Sequence, residues 1–155
     1  MNLMQQRIKL KKINANFFRR LGANVRDKYR EHVFGQAKDV YGRPFKSYTK
    51  EYSSRKRAGS FKRQAQNYAS SKAPILTSDL LRDLTLVKTS AGGFEIGWVS
   101  QGAKIEWLKK NGRKLTTKDK PFPDKIVTYM NNELSRQWKK ENPNKTTVHR
   151  VGKKK

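Results

Sequence analysis

The chain contains no cysteine, which excludes a disulfide framework and any thiolate metal site and fits an assembly built in a reducing cytosol. Histidine is nearly absent: His32 and His149 are the two, and they lie far apart in the sequence. None of the metal, nucleophile-elbow or phosphate-loop patterns that need such residues occurs, whether HExxH, paired CxxC, GxSxG or GxxxxGK[ST]. No run of about 18 apolar residues exists for an ordinary transmembrane helix. The apolar positions near Met1 never join into the uninterrupted stretch that a signal peptide requires. Acidic residues are scarce as well, 12 Asp+Glu against 37 Lys+Arg for a net charge of +25. Like charge at that density opposes compaction, so the expected neighbour is anionic: nucleic acid, an acidic protein surface, or both. Hydrophobic residues make up 34%, short of the usual share of about 45–50%. A single small core is therefore predicted, with several segments that order against partners.

What is present falls into a few elements. Leu10, Ile13, Phe17, Leu21, Val25 and Tyr29 recur every three or four residues, which predicts one amphipathic helix from Leu3 to Val33. Arg7, Lys11, Lys12, Arg19, Arg26 and Arg30 occupy its other side, and Gly22 marks a weak point or bend. Tyr41-Gly42-Arg43-Pro44-Phe45 reads as a turn, followed by a short helix over residues 47–57 with Tyr48 and Tyr52 one turn apart. The stretch from Ser53 to Lys72 is basic, without an acid and nearly without apolar residues, so it is expected to be a mobile loop in isolation. Its Arg55, Lys56, Arg57, Lys62, Arg63 and Lys72 form a candidate interaction arm.

Thr77 and Ser78 suit the N-cap of a short helix from Asp79 to Asp83. Thr85–Ser90 and Phe94–Ser100 then read as strands of a hairpin through Ala91-Gly92-Gly93, with Phe94, Ile96 and Trp98 on one face. Ile105, Trp107 and Leu108 mark a short apolar segment before the turn dipeptide Asn111-Gly112. A second helix is predicted from Asp124 to Lys140, with Ile126, Val127, Met130, Leu134 and Trp138 as its stripe. Residues 142–155 form a basic tail in which Lys145, Arg150, Lys153, Lys154 and Lys155 are candidate contacts. The predicted fold is thus one α+β domain over residues 1–141, a small antiparallel sheet flanked by two helices, with a long basic loop over residues 53–73. Its expected core is Phe17, Leu21, Leu80, Leu84, Phe94, Ile96, Trp98, Met130 and Leu134.

No residue set carries catalysis. Asp79 and Asp83 stand one turn apart, a spacing that serves helix-start charge and pairing with Arg82 more simply than a nuclease metal. Tyr48, Tyr52, Phe61 and Tyr68 interleave with Arg55, Arg57, Lys62 and Arg63, a composition suited to stacking on bases and pairing with phosphates. A ribosomal-type RNA- or DNA-binding protein is one reading of that composition.

The order of motifs supplies the other. Gly42-Arg43-Pro44-Phe45 with Tyr48 comes first, then Pro74-Ile75-Leu76-Thr77 with Asp79-Leu80-Leu81-Arg82-Asp83. Phe94-Glu95-Ile96-Gly97-Trp98 follows, and Lys120-Pro121-Phe122-Pro123 precedes the last helix. In that order the chain resembles the virion morphogenesis proteins (tail-completion, or neck) of tailed bacteriophages across roughly Ala37 to Leu134. Asp79 stands where that family usually has glycine. The resemblance implies an α+β fold with an extended loop and no enzymatic activity or cofactor. It also implies a ring-shaped homo-oligomer, most often hexameric, in the neck or tail of the virion, assembled in the host cytoplasm beside portal, neck or tail proteins. A ring lumen lined with Lys and Arg would retard passing DNA, so most of the charge is expected on surfaces facing acidic neighbours or stationary DNA.

Overall fold

The computed structural model describes residues 13–58 and 79–143. Among them the fold is α+β: five α-helices and one two-stranded antiparallel sheet. Helix α1 (Ala15–Arg30) starts where Asn14, in extended backbone, accepts a 2.9 Å hydrogen bond from the Phe17 N–H. A side-chain acceptor there satisfies a donor that the helix itself leaves orphaned, so the helix begins at Ala15 rather than running through from Leu3. Residues 3–12 of the expected helix lie outside the described residues. Of the predicted stripe, Phe17, Leu21, Val25 and Tyr29 are buried, with Phe18 beside them, and Ile13 is half-buried. Past Arg30 the helix widens into a π-helical turn (Glu31–Gly35), in which the Gln36 N–H donates to the Glu31 carbonyl at 2.8 Å. This turn buries His32, Val33 and Phe34 in succession.

Gly22 does not break α1. A Cβ at that position would lie 2.6 Å from Leu86 Cδ1 and 3.0 Å from Phe94 Cγ; the glycine is what lets the β-hairpin lie close against the helix. The hairpin pairs β1 (Leu84–Ser90) with β2 (Gly93–Trp98), Leu84 opposite Trp98 and Ser90 opposite Gly93. The register slips between Leu86 and Lys88, which leaves Val87 as a bulged, exposed residue. Strand β2 stops at Trp98, short of the predicted Ser100, because Asp83 at the end of helix α3 (Asp79–Asp83) draws the chain away. Its carboxylate accepts the Ser100 N–H and Oγ–H and the Gln101 N–H at 2.7–3.0 Å.

That turn launches α4 (Gly102–Lys110), the segment whose apolar residues are visible in the sequence without their helical form. Ile105 and Leu108, three apart, face the core. Gly112, at φ +76, then closes the helix, with the Arg113 N–H donating to the Leu108 carbonyl at 2.8 Å. Helix α5 (Asp124–Glu141) runs as predicted, one residue longer.

The core is one cluster. Phe17, Leu21, Leu80 and Leu84 belong to it as expected, whereas Phe94, Ile96, Trp98, Met130 and Leu134 are half-buried at its margin. Strand β2 has a neighbour on one side only among the described residues, and α5 covers α1 with Ile126 as its one buried residue. Val33, Phe34, Val40, Phe45, Ile105, Leu108 and Leu115 fill the interior instead.

Candidate functional site

Two constructions carry the polar chemistry of the described residues. The first is the turn at residues 37–45. Asp39 is buried, and its Oδ1 accepts the backbone N–H groups of Tyr41 and Arg43 at 2.9 and 2.8 Å. Its Oδ2 takes Arg43 through Nε at 3.0 Å and Nη2 at 2.9 Å, a two-pronged ion pair. Buried His32 donates from Nε2 to the Asp39 carbonyl at 2.8 Å, so this histidine is employed structurally. Ala37, at φ +54, enters the turn in the left-handed region, where a non-glycine residue costs about 1–2 kcal/mol. The turn holds it there through the Phe45 N–H bond to the Ala37 carbonyl at 2.9 Å. The Val40 N–H reaches the Lys114 carbonyl, also at 2.9 Å, and so ties the turn to the segment after α4. The Tyr41 ring sits between Arg43 at 4.9 Å and Lys120 at 5.4 Å.

The second construction is the root of the basic arm. Helix α2 (Lys50–Arg57) is capped by Thr49, whose hydroxyl accepts the Tyr52 N–H. It begins three residues later than predicted, and it claims the first part of the expected mobile loop: Ser53 to Arg57 are helical. Tyr48 and Tyr52 pack with ring centroids 4.6 Å apart. Over the Tyr48 ring lie the guanidinium of Arg113 at 3.9 Å and the ammonium of Lys56 at 5.3 Å. Arg113 also donates from Nη2 to the Lys46 carbonyl at 2.9 Å. Lys56 is 1% exposed. Burial, with the like charge of Arg113 adding to it, lowers its pKa to about 8. Burial likewise raises the Tyr48 phenol, against the pull of Arg113.

The candidate arm is therefore divided. Arg55 and Arg57 are exposed on α2, whereas Lys56 is turned inward and is no surface contact. Lys62, Arg63 and Lys72, and the tail residues Lys145, Arg150, Lys153, Lys154 and Lys155, lie outside the described residues. Arg113 had no signal in the sequence, because nothing local says that an arginine after Asn111-Gly112 will stack on a tyrosine 65 positions away. Asp79 and Asp83 do not form a carboxylate pair: Asp79 is exposed, and Asp83 is engaged by the Ser100–Gln101 turn that leads into α4. Against a burial penalty, the donors at Ser100 and Gln101 hold the Asp83 carboxyl below its ordinary range. No group of three or more His, Cys, Asp or Glu among the described residues is placed to hold a metal. No described helix is long and apolar enough to cross a membrane.

Large apolar side chains remain on the surface: Val99 at 73% exposure, Trp107 at 59%, and Val87 at the bulge. Trp107 follows Lys104 and precedes Lys110 by three residues each, so lysines flank it on one helix face. Compared with family models, with curated proteins and with solved structures, the chain matches none.

Proposed function

We propose that the chain is a structural protein of the phage neck or tail-completion region, a ring-forming homo-oligomer at the head–tail junction that acts without catalysis. One observation carries this reading: four motifs occur in order, and their described residues form elements and turns of the fold. The Gly42–Phe45 turn is locked by Asp39 and joins the π-helical turn to α2. Asp79–Asp83 forms α3 and, through Asp83, holds the turn that leads into α4. Phe94–Trp98 is β2, and Lys120–Pro123 leads into α5, with Lys120 paired to Asp124 at 2.7 Å.

The rival reading, a ribosomal-type RNA- or DNA-binding protein, draws on the charge and on exposed Arg55 and Arg57. Against it stands the packing of Tyr48, whose ring is engaged by Arg113 and Tyr52 rather than left for a base. Electron microscopy of the purified protein tests the choice: rings of uniform size, with six copies favoured, are expected. Monomers at every concentration, together with recovery in ribosomal fractions, would end the phage reading.

A further inference from the structure

Strand β2 has no second strand beside it among the described residues. Along its open side runs a groove of about 330 Å³. Phe94, Glu95, Ile96, Gly97 and Trp98 all line this groove. Successive residues of a strand face opposite ways, so a groove that touches five in a row follows the strand's edge, where N–H and C=O groups point outward. The facing wall is Pro121 and Phe122. Tyr29 joins the walls, its ring edge-on to both Trp98 at 5.9 Å and Phe122 at 5.8 Å. An edge of this kind is a template for another strand.

The charge of the groove says which kind of strand. Its lining holds one carboxylate, Glu95, and no Lys, Arg or His, in a chain with 37 Lys+Arg. An acidic segment would be repelled there, and a basic one would be favoured. The occupant therefore has apolar side chains at alternate positions, basic ones between them, and no proline. The chain itself contains such a segment: Arg7-Ile8-Lys9-Leu10-Lys11 alternates strictly. Five extended residues reach about 17 Å, a match for the six residues of β2.

We propose that this groove receives residues Arg7–Lys11 of a second copy of the chain as a third strand, which gives the proposed ring its contact. Ile8 and Leu10 face the side of Phe94, Ile96 and Trp98; Lys9 faces the other side, that of Glu95, as a cross-strand ion pair. Pairing within one copy would require the chain to reverse direction directly at the start of α1. Lys11 is three residues from Asn14, at most about 11 Å of chain, and Ile13 is already packed on the core. Gly22, the α1 residue that faces Phe94, is eight residues further along the helix, about 12 Å. So short a connection leaves almost no slack for the reversal, which favours the groove of a neighbouring copy. Donor segment and acceptor groove are different surfaces, so the contact is head-to-tail and closes into a ring when the rotation allows. The proposal rests on the ring reading above, and its test separates the two.

The test compares the full chain, a variant lacking residues 2–11, and Glu95→Lys, by light-scattering mass, electron microscopy and melting temperature. A fluorescent peptide of residues 5–12 is titrated against the shortened chain. Expected are rings from the parent, monomers with a nearly unchanged melting temperature from the deletion, and weakened assembly from Glu95→Lys, whose exposed position spares the fold. The peptide is expected to bind the shortened chain and to lose binding when Glu95→Lys is added. Rings from both the parent and the deletion would overturn this contact and leave the ring reading intact. A deletion that lowers the melting temperature while assembly persists would assign the strand to its own copy and overturn the exchange. If the parent forms no ring and the peptide still binds, the ring reading fails and the groove pairing stands; no ring and no binding sinks both.

Discussion

The interior under the hairpin and the root of α2 solve burial in opposite ways. Under the hairpin, α1 presents Leu21, Val25 and Tyr29 to apolar neighbours, and the polar tips of the aromatic rings there meet backbone carbonyls. The Tyr29 hydroxyl donates to Leu115, and Trp98 Nε1 donates to Leu80 at 2.9 Å. At the root, two cations are buried on aromatic faces, Lys56 and Arg113 over Tyr48. A core of the first kind is insensitive to pH across the neutral range. One of the second kind carries a charge penalty whenever Lys56 is protonated. A chain with 37 Lys+Arg and 34% hydrophobic residues cannot build its whole interior from apolar side chains, so it also uses the long stems of its basic residues.

The largest expected effect lies at the dry end. Tyr29→Ala removes the ring that packs on Trp98 and Phe122 and should cost about 3–5 kcal/mol in denaturant unfolding. Tyr29→Phe isolates the hydroxyl and should cost about 1–3 kcal/mol, because the Leu115 carbonyl loses its buried donor. Equal losses from both variants would mean that the hydrogen bond, not the packing, holds this end together.

Next comes the closeness of helix and hairpin. Gly22→Val places atoms where Leu86 and Phe94 already stand and should destabilise by about 1–3 kcal/mol. A neutral result, read as an unchanged melting temperature, would show that the hairpin rides loosely on α1.

The root is tested by pH. The Lys56 pKa is lowered from 10.5 to about 8. Between those values the folded state binds fewer protons than the unfolded one, so stability rises with pH across that window. Tyr29 and Tyr48, both raised by burial, oppose the trend above pH 10, which makes pH 8–10 the clean interval. Lys56→Met should be more stable than the parent at pH 7 by on the order of 1 kcal/mol, and the advantage should shrink as pH climbs from 8 to 10. Parallel stability curves for the two proteins would mean that the ammonium is not buried in the charged form.

The smallest effect belongs to the exposed side of the same helix. Arg57→Ala should change stability by no more than about 0.5 kcal/mol, so its thermal melt should overlay the parent's. A larger loss would show that α2 depends on its outer face as well as on Lys56.

The residues by themselves settled those elements whose signal is local. The α1 stripe from Phe17 to Tyr29, the Ala91-Gly92 hairpin and α5 from Asp124 onward all follow from spacing, turn chemistry and helix-start charge. So does the α+β class, because strand alternation and helical period occur in different stretches of the same chain. What depends on distant partners was decided only by the fold. Asn14 and Thr49 start their helices later than the spacing predicts because a cap competes with helix continuation, and capping is chosen by the whole turn rather than by propensity. Residues 102–110 carry too few apolar positions to declare a period, and they become helical because Asp83, 18 residues before Gln101, holds the chain at their start. Lys56 reads as one more surface cation in a basic run. Only Tyr48 and Arg113, brought together by the closing of the core, turn it inward, since burial is set by what surrounds a side chain and not by its neighbours in sequence.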